Sequence, residues 1–164
     1  MKLLKFIDGK KIYEDLETEY KRHSKGYVIL GPPGIGKTTF VNSQKGIIKD
    51  WIDTDVLFGK ENLNVNWQNN NPIDNRLSYL RADYMLEQSK LYGFRIIGAL
   101  FWRYKADCMI IPPIDKHELF LKSRKDLDFK KIIKMRDIFK KHATDNNIPI
   151  FENIENSIKY IENL

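Results

Sequence analysis

Short apolar runs alternate along the chain with stretches in which apolar residues recur every three or four positions. The runs lie at 27–30, 47–52, 95–102, 107–111 and 146–151, and their composition predicts five strands. The spacing between the runs is typical of helices that pack one face against a sheet. Because strands that alternate with helices favour a parallel sheet, the pattern predicts an α/β fold.

Residues 1–26 precede the first strand of the sheet and are predicted to be an N-terminal extension of a core domain at 27–164, with a short strand at 5–7 and a turn at 8–9 before a helix. A helix is predicted over 12–23, with an apolar stripe that packs on the flank of the sheet. The stripe consists of Ile12, Leu16 and Tyr20. His23 is predicted to be exposed near the end of this helix, without a partner.

Two later helices carry more specific predictions. The helix at 77–92 is predicted to pack through an apolar side that consists of Leu77, Leu80, Tyr84 and Leu91. The helix after the fourth strand has Asp115 as its predicted N-cap, with Glu118 three residues later in the spacing of a capping box. His117 lies between these acids, and we predict that it is on the surface.

Residues 31–38 read Gly-Pro-Pro-Gly-Ile-Gly-Lys-Thr and fit the phosphate-binding (Walker A) pattern G-x-x-x-x-G-K-[ST] at every fixed position. Glycines let backbone N–H groups turn toward an anion, and the following helix directs its positive end to the same point. Lys37 supplies a cation for the β and γ phosphates, and Thr38 supplies a hydroxyl for Mg²⁺. The candidate nucleotide-binding residues are Gly31, Pro32, Pro33, Gly34, Ile35, Gly36, Lys37, Thr38 and Thr39. The pattern predicts a nucleoside triphosphate site; the alternative is a glycine-rich turn that binds nothing.

Two carboxylates follow the second strand, at the edge of the sheet where parallel α/β folds bind ligands. Asp53 and Asp55 are two residues apart, so in an extended backbone their side chains point the same way. Such a pair is suited to holding Mg²⁺ and accepting a proton. The alternative interpretation is that Asp55 only caps a following turn or helix.

The loop at 31–38, followed about fifteen residues later by Ile52-Asp53-Thr54-Asp55, resembles the shikimate and gluconate kinase branch of the P-loop kinases. That group also includes the nucleoside monophosphate kinases. The resemblance implies a three-layer P-loop NTPase fold with sheet order 2-3-1-4-5, a helical lid, ATP as donor and Mg²⁺ as cofactor. It implies that Asp53 lies near the metal with Thr38 and that Asp55 accepts the acceptor's proton. Polynucleotide 5′-hydroxyl kinases also place an acid after their second strand, so Asp55 alone does not choose the acceptor.

The same resemblance implies an acceptor-binding region at about 56–92 and a lid at about 113–142. Its candidate acceptor-binding residues, besides Asp55, are Trp67, Arg76 and Arg81. Trp67 stands alone in an asparagine-rich loop and either stacks on a base or sugar or folds back onto the core. In the lid, Arg124 and Arg136 are the candidates that stabilise charge on the transferring phosphoryl group.

The absence of one motif narrows the class of nucleotide-binding protein that the sequence predicts. Neither the third nor the fourth predicted strand ends on the apolar run followed by an acid that marks a Walker B strand. This argues against motor-type ATPases, whereas kinases of this branch hold the metal with Thr38 and an acid of strand two. We also find no N-K-x-D guanine motif, which leaves a nucleotide-dependent switch or assembly protein as a minor alternative.

The net charge of +6 is concentrated in one part of the chain. Residues 116–142 hold ten Lys and Arg against four Asp and Glu, a difference equal to the whole excess. Such a region attracts phosphate. It motivates a second enzymatic hypothesis, a kinase for a hydroxyl carried on DNA or RNA.

The cysteine content and the lengths of the apolar runs bear on where in the cell the protein is found. The single cysteine, Cys108, lies in an apolar run and is predicted to be a packed core thiol. No apolar run approaches the ~20 residues of a membrane span, and we predict a cytoplasmic protein with no membrane partner. The leading prediction is an ATP- and Mg²⁺-dependent phosphotransferase that acts on a hydroxyl or phosphate of a small acceptor.

Overall fold

The computed structural model describes residues 16–59, 72–125 and 128–164. Its strands are β1 (Tyr27–Leu30), β2 (Trp51–Asp53), β3 (Arg95–Gly98), β4 (Cys108–Ile110) and β5 (Ile150–Phe151). They form one parallel sheet of five strands in the order β2-β3-β1-β4-β5. The predicted α/β fold and strand order are therefore confirmed.

Seven helices lie within the described residues. They are α1 (Leu16–Glu19), α2 (Lys37–Ser43), α3 (Thr54–Gly59), α4 (Pro72–Tyr92), α5 (Ile114–Lys122), α6 (Phe129–Asp145) and α7 (Ile154–Glu162). Alternate residues of β1 face opposite sides of the sheet. Val28 and Leu30 pack in one cluster with residues of α1, α4 and α6. Ile29 packs in the other cluster with residues of α2 and α7. Helices therefore cover both faces.

The second, third and fifth strands are shorter than predicted: β3 ends at Gly98 rather than at residue 102, and β5 begins at Ile150 rather than at residue 146. Ile47 and Ile48 are 93% and 53% exposed, and β2 begins only at Trp51. The side chain of Gln44 holds the turn before it: its Oε1 accepts the N–H of Trp51 at 2.8 Å, and its Nε2 donates to the Trp51 carbonyl at 2.9 Å. Among the described strands, β2 pairs only with β3. The pairing involves three residues, Trp51 to Asp53, and does not include the two isoleucines.

The predicted apolar side of α4 is wrong at three of its four positions, and of the four only Tyr84 is partly buried against the core. Leu77, Leu80 and Leu91 are 51%, 42% and 70% exposed. The buried positions are instead Ala82, Met85, Leu86 and Ser89. Small residues at this contact let the helix end lie directly on the sheet: a Cβ at Gly26 would lie 2.8 Å from the backbone carbon of Lys90. Backbone proximity, rather than a leucine stripe, therefore defines this interface.

The helix predicted to continue to residue 23 ends at Glu19, because Tyr20 instead forms a bridge with Lys49, but its described apolar residues pack on the core as predicted. Leu16 and Tyr20 are 0% and 3% exposed within the cluster that α4 also joins. Ile12 and the rest of residues 1–15 lie outside the described residues. His23 is not exposed as predicted: its ring is largely buried, with Nε2 3.4 Å from Asp50 Oδ1. Burial, followed by the charge of Arg95, lowers the pKa of His23.

The structure bears on the predicted core position of Cys108, on the predicted cap of α5 and on the absence of a membrane-spanning helix from the described residues. Cys108 is fully buried, and burial raises the pKa of its thiol to about 12, which confirms a core thiol. The predicted capping box of α5 is wrong, because its N-cap residue is Pro113 and no side chain bonds there. None of the helices in the described ranges is both long and apolar enough to cross a bilayer.

Candidate active site

The turn between β1 and α2 has the backbone that its glycines predict. Gly34 and Gly36 have φ of 79° and 87°, in the left-handed region that residues with a Cβ rarely adopt. An added Cβ at Gly34 would also crowd the Leu121 side chain on α5, with Cγ 3.3 Å away, so that leucine would have to shift. Residues 31–36 are thereby held in a tight loop at the carboxyl end of β1, against the helix that faces it.

Lys37, the first residue of α2, folds back over this loop. Its Nζ donates to the carbonyl of Gly31 at 2.9 Å and to that of Pro32 at 2.6 Å. Burial lowers the pKa of Lys37 to about 8, although the carboxylates of Asp53 and Asp55 act in the opposite direction. The ammonium is thus held inside the loop, in a place where an anionic ligand would stabilise its charge.

Thr38 and the end of β2 are joined by a direct contact. Thr38 Oγ1 donates to Asp53 Oδ2 at 3.0 Å, and Asp53 is 4% exposed. The other carboxylate oxygen, Oδ1, accepts the N–H of Asp55 at 2.9 Å. Asp53 is therefore the last residue of β2, and its carboxylate accepts hydrogen bonds from both α2 and the first turn of α3.

The backbone at the acid pair differs from the prediction. Asp55 is not in extended backbone, because α3 begins at Thr54 and places Asp55 in its first turn. Nor is Asp55 the cap: the carboxylate that bonds the first turn is that of Asp53. Partial burial and then the neighbouring Asp53 raise the pKa of Asp55, while Lys37 lowers it. A carboxylate with a raised pKa is a better proton acceptor.

These groups face one cavity of about 540 Å³, within the usual size range of ligand sites. The predicted site residues that line it are Pro33, Gly34, Gly36, Lys37, Thr38, Thr39, Asp53, Asp55 and Arg124. Gly31 and Ile35 are buried within the loop, and the Pro32 carbonyl accepts a hydrogen bond from Lys37. The phosphate loop, the acid pair and the lid segment thus meet around a single space.

The lid side of the cavity contains residues that the sequence did not single out. Lys131 and Asp128, at the start of α6, line it together with Arg124, which follows α5. Asp128 also caps α6, because its side chain accepts the N–H of Lys130 at 3.0 Å. Lys131 belongs to the basic region at 116–142, and membership of that region was the available sequence signal.

His117 is not on the surface, as predicted, but fully buried against the phosphate loop. Its Nε2 lies 2.8 Å from the Pro33 carbonyl, so this nitrogen carries the proton and donates. Burial, and then the charges of Arg136 and Lys37, lower its pKa against the opposing effect of the Pro33 bond. The sequence signal was the four-residue spacing of His117 and Leu121, which places both on one face of α5.

The other candidate arginines lie elsewhere. Arg136 is half-buried and donates through Nη2 to the Pro112 carbonyl at 2.8 Å, so it joins α6 to the segment after β4. The guanidinium of Arg76 lies 5.1 Å from the centre of the Trp102 ring, and Arg81 is exposed on α4. None of the three is among the described residues that line the 540 Å³ cavity. Trp67 lies outside the described residues.

The donor set fits Mg²⁺, the metal that the resemblance implies. Among the described residues there is no group of three or more His, Cys, Asp or Glu side chains arranged to hold a metal. Magnesium does not require such a group, because it usually keeps several waters and is bound by one or two carboxylates and the phosphates of a substrate. The Thr38 hydroxyl and the Asp53 carboxylate, 3.0 Å apart, are a suitable protein contribution.

Comparisons of the chain with family models, curated proteins and solved structures gave no significant match.

Proposed function

We propose that this protein is an ATP- and Mg²⁺-dependent kinase that transfers the γ-phosphoryl group to a small acceptor. One observation carries the proposal. Lys37, Thr38, Asp53 and Asp55, which are predicted to serve the phosphates, the metal and the proton, all line the same 540 Å³ cavity. A glycine-rich turn without a ligand gives no reason for a buried lysine and a buried carboxylate to meet there.

The loop and Lys37 bind the triphosphate. Backbone N–H groups near Gly34 and Gly36 surround the phosphates, and the ammonium of Lys37 exchanges its two carbonyl partners for phosphate oxygens. The desolvation that lowers the lysine's pKa is then offset by anionic charge. Substrate binding therefore raises the pKa of Lys37 again and stabilises its protonated form.

Asp55 accepts the proton when the acceptor is a hydroxyl. The acceptor oxygen forms a bond to the γ phosphorus, the bond between that phosphorus and the β–γ bridging oxygen breaks, and ADP leaves with that oxygen. The hydroxyl proton passes to the Asp55 carboxylate and then to solvent. A phosphate acceptor is already ionised, and Asp55 would then orient it without taking a proton.

Thr38 and Asp53 hold the metal, which when bound neutralises charge on the phosphate oxygens. Arg124 and Lys131 approach the cavity from the lid side and add positive charge opposite the loop. Arg136 acts at a distance, because its bond to the Pro112 carbonyl joins α6 to the segment that leads into α5. The lid excludes water from the transfer.

The experiment is a measurement of ADP formation by the full chain with Mg-ATP, across nucleosides, nucleotides, sugars, sugar acids and oligonucleotides. We expect at least one acceptor to raise ADP release and to appear as a phosphorylated product by ³¹P NMR. ATP hydrolysis that no acceptor changes would contradict the proposal and would favour a switch or assembly ATPase.

A kinase for a hydroxyl on DNA or RNA is the second candidate. It is favoured by the exposed cations of α5 and α6, among them Lys122, Lys130, Lys134 and Lys140. Not all of the basic region is available, since Lys141 pairs with Asp145 at 2.6 Å. A nucleic-acid acceptor should bind with an affinity that falls steeply as salt rises, whereas an uncharged small acceptor should not.

A further inference from the structure

A second cavity, of about 230 Å³, adjoins the first. It lies between α4, the segment that follows β3 and α6, and we call it the ring cleft. Four aromatic and two large aliphatic residues form most of its wall: Tyr79, Phe101, Trp102, Phe139, Met135 and Ile138. Its volume is below the range typical of sites for whole drug-sized ligands, so it suits one ring-sized group.

The ring cleft is continuous with the proposed transfer site. Ala99 and Met135 line both cavities, so a group bound in the cleft lies against the space that Asp55 and Lys37 face. Ala99 follows directly after β3, and Met135 lies on α6. A molecule that spans the two cavities would therefore place one end in an apolar wall and the other beside the acid pair.

The chemistry of the wall selects the ligand. A polyhydroxylated sugar that entered this cleft would lose hydrogen bonds to water, and an apolar wall supplies few in exchange. A flat aromatic ring loses little on leaving water and gains edge and face contacts with Phe101 and Trp102. The wall thus favours an aromatic ring over a polyol.

Polar contacts behind the cleft hold it open in this shape. The carboxylate of Asp83 accepts the N–H of Trp102 at 2.8 Å and that of Arg103 at 2.7 Å. The Arg76 and Arg103 guanidinium groups lie 5.1 and 4.7 Å from the centre of the Trp102 ring. Phe101 and Phe139 meet edge to face, with ring centres 4.9 Å apart. A preformed cleft binds a rigid ring without the entropy loss of ordering its own wall.

We infer that the ring cleft binds an aromatic ring of the phosphate acceptor, so that the acceptor is a hydroxyl compound bearing such a ring rather than a sugar or a sugar acid. The inference rests on the proposed kinase function. The hydroxyl attached to that ring system reaches Asp55, its oxygen bonds to the γ phosphorus of ATP, its proton passes to the carboxylate and ADP is released. Nucleosides and aryl alcohols share this chemistry.

The test compares acceptors that differ by the ring alone. Transfer from Mg-ATP by the full chain is measured for ribose and for the ribonucleosides, which add a base to the same sugar, and for benzyl alcohol as a ring without a sugar. We expect kcat/KM for at least one ring-bearing acceptor to exceed that for ribose by about a hundredfold, the upper range for apolar discrimination in a pocket. Preference among the nucleosides or for benzyl alcohol identifies the source of the ring.

A pair of variants tests the place of binding. Ile138, 61% exposed on α6, lines the ring cleft, and Ile138→Trp should fill it. We expect the acceptor KM to rise by about tenfold or more through steric exclusion, while the Kd for ATP changes by less than about twofold. Leu91→Trp, at a position 70% exposed on α4, is the matched control and should leave both constants unchanged.

Failure of this inference differs from failure of the proposed function. Equal transfer to ribose, the ribonucleosides and benzyl alcohol, or an unchanged KM in Ile138→Trp, would overturn the ring cleft and leave the kinase proposal standing. Ring compounds that bind, by saturation-transfer NMR, but are never phosphorylated while sugars are, would also overturn it. ATP binding without transfer to any acceptor would contradict both.

Discussion

The phosphate loop at 31–38 and the helical segment at 114–145 face each other across the larger cavity, and they hold their side chains by different means. The loop uses its own backbone: Lys37 bonds two carbonyls only five and six residues before it. The helical segment uses distant partners, such as Pro33 for His117, 84 residues away, and Pro112 for Arg136, 24 residues away. Short-range geometry therefore defines the loop, and tertiary packing defines what faces it.

The largest expected effect is on the loop side. Lys37→Ala removes the cation nearest to the phosphates, and we expect turnover to fall by about a hundredfold or more, the scale for loss of one preorganised electrostatic group. Lys122→Ala, an exposed change in α5, is the control and should have little effect. Steady-state ADP release measures both. Similar losses in the two variants would mean that charge matters only through the field of the whole lid.

Asp55→Asn tests the acid that lines the cavity between the two regions. Because the amide cannot take the acceptor's proton, we expect kcat to fall by about a hundredfold or more, the typical contribution of general base catalysis. The Kd for ATP should remain nearly unchanged, as measured by calorimetry. An unchanged kcat would show that Asp55 is not the base, or that the acceptor is already ionised.

A pH series tests the buried ammonium. In the folded protein Lys37 loses its proton as pH rises through about 8, well below the range of an exposed lysine. The penalty for burying the charged form is thus present below pH 8 and is relieved above it. Since the phosphates favour the ammonium, ATP binding above pH 8 should take up a proton, and affinity should fall by up to about tenfold per pH unit.

Calorimetry in buffers of different ionisation enthalpy counts the protons taken up. Lys37→Arg is the control, because a guanidinium keeps its charge throughout this range and its ATP binding should take up no proton at this site. Equal proton uptake by the two proteins near pH 8.5 would assign the titration to another group.

His117 tests whether the distant helix positions the loop. Loss of the bond to Pro33 in His117→Ala should raise the KM for ATP by about tenfold, the cost of roughly one buried hydrogen bond, and change kcat less. His117→Gln, whose amide N–H is a possible donor to the same carbonyl, should recover part of the affinity. A fall in thermal stability with no change in the KM of the folded fraction would make the role of His117 structural only.

The smallest expected effect is on the free energy of unfolding and concerns two acids: Asp128 precedes α6, and Asp115 lies in the first turn of α5. Asp128 bonds the first turn of α6, whereas α5 has no side-chain cap bond. Asp128→Ala should therefore lower the free energy of unfolding by about 1 kcal/mol, and Asp115→Ala by less than about 0.5 kcal/mol. Urea denaturation measures both. Equal losses would restore the predicted capping role of Asp115.

The features that the sequence could predict are those set by short-range geometry, and the features it could not predict are set by tertiary packing. The α/β fold and the glycine turn were predicted, because apolar runs and φ requirements are local signals, whereas the strand order was predicted only through the resemblance to P-loop kinases. The burial of His117 was not, since its partner Pro33 lies far away in sequence and its neighbours Asp115 and Glu118 resemble a solvent-exposed helix start. The buried side of α4 was missed for a related reason: it is set by contacts with distant parts of the chain, such as the approach of Gly26 to the Lys90 backbone.

Gln44 has a consequence for motion. Its side chain joins the end of α2 to the start of β2 through bonds to Val41, Asp50 and Trp51. Together with the Thr38–Asp53 contact, this closes a covalent and hydrogen-bonded ring around residues 38–53. We expect that ring to behave as a single rigid body during turnover. Any movement that admits the substrate is then expected on the opposite wall, where the bond between His117 and the Pro33 carbonyl is the contact with the loop.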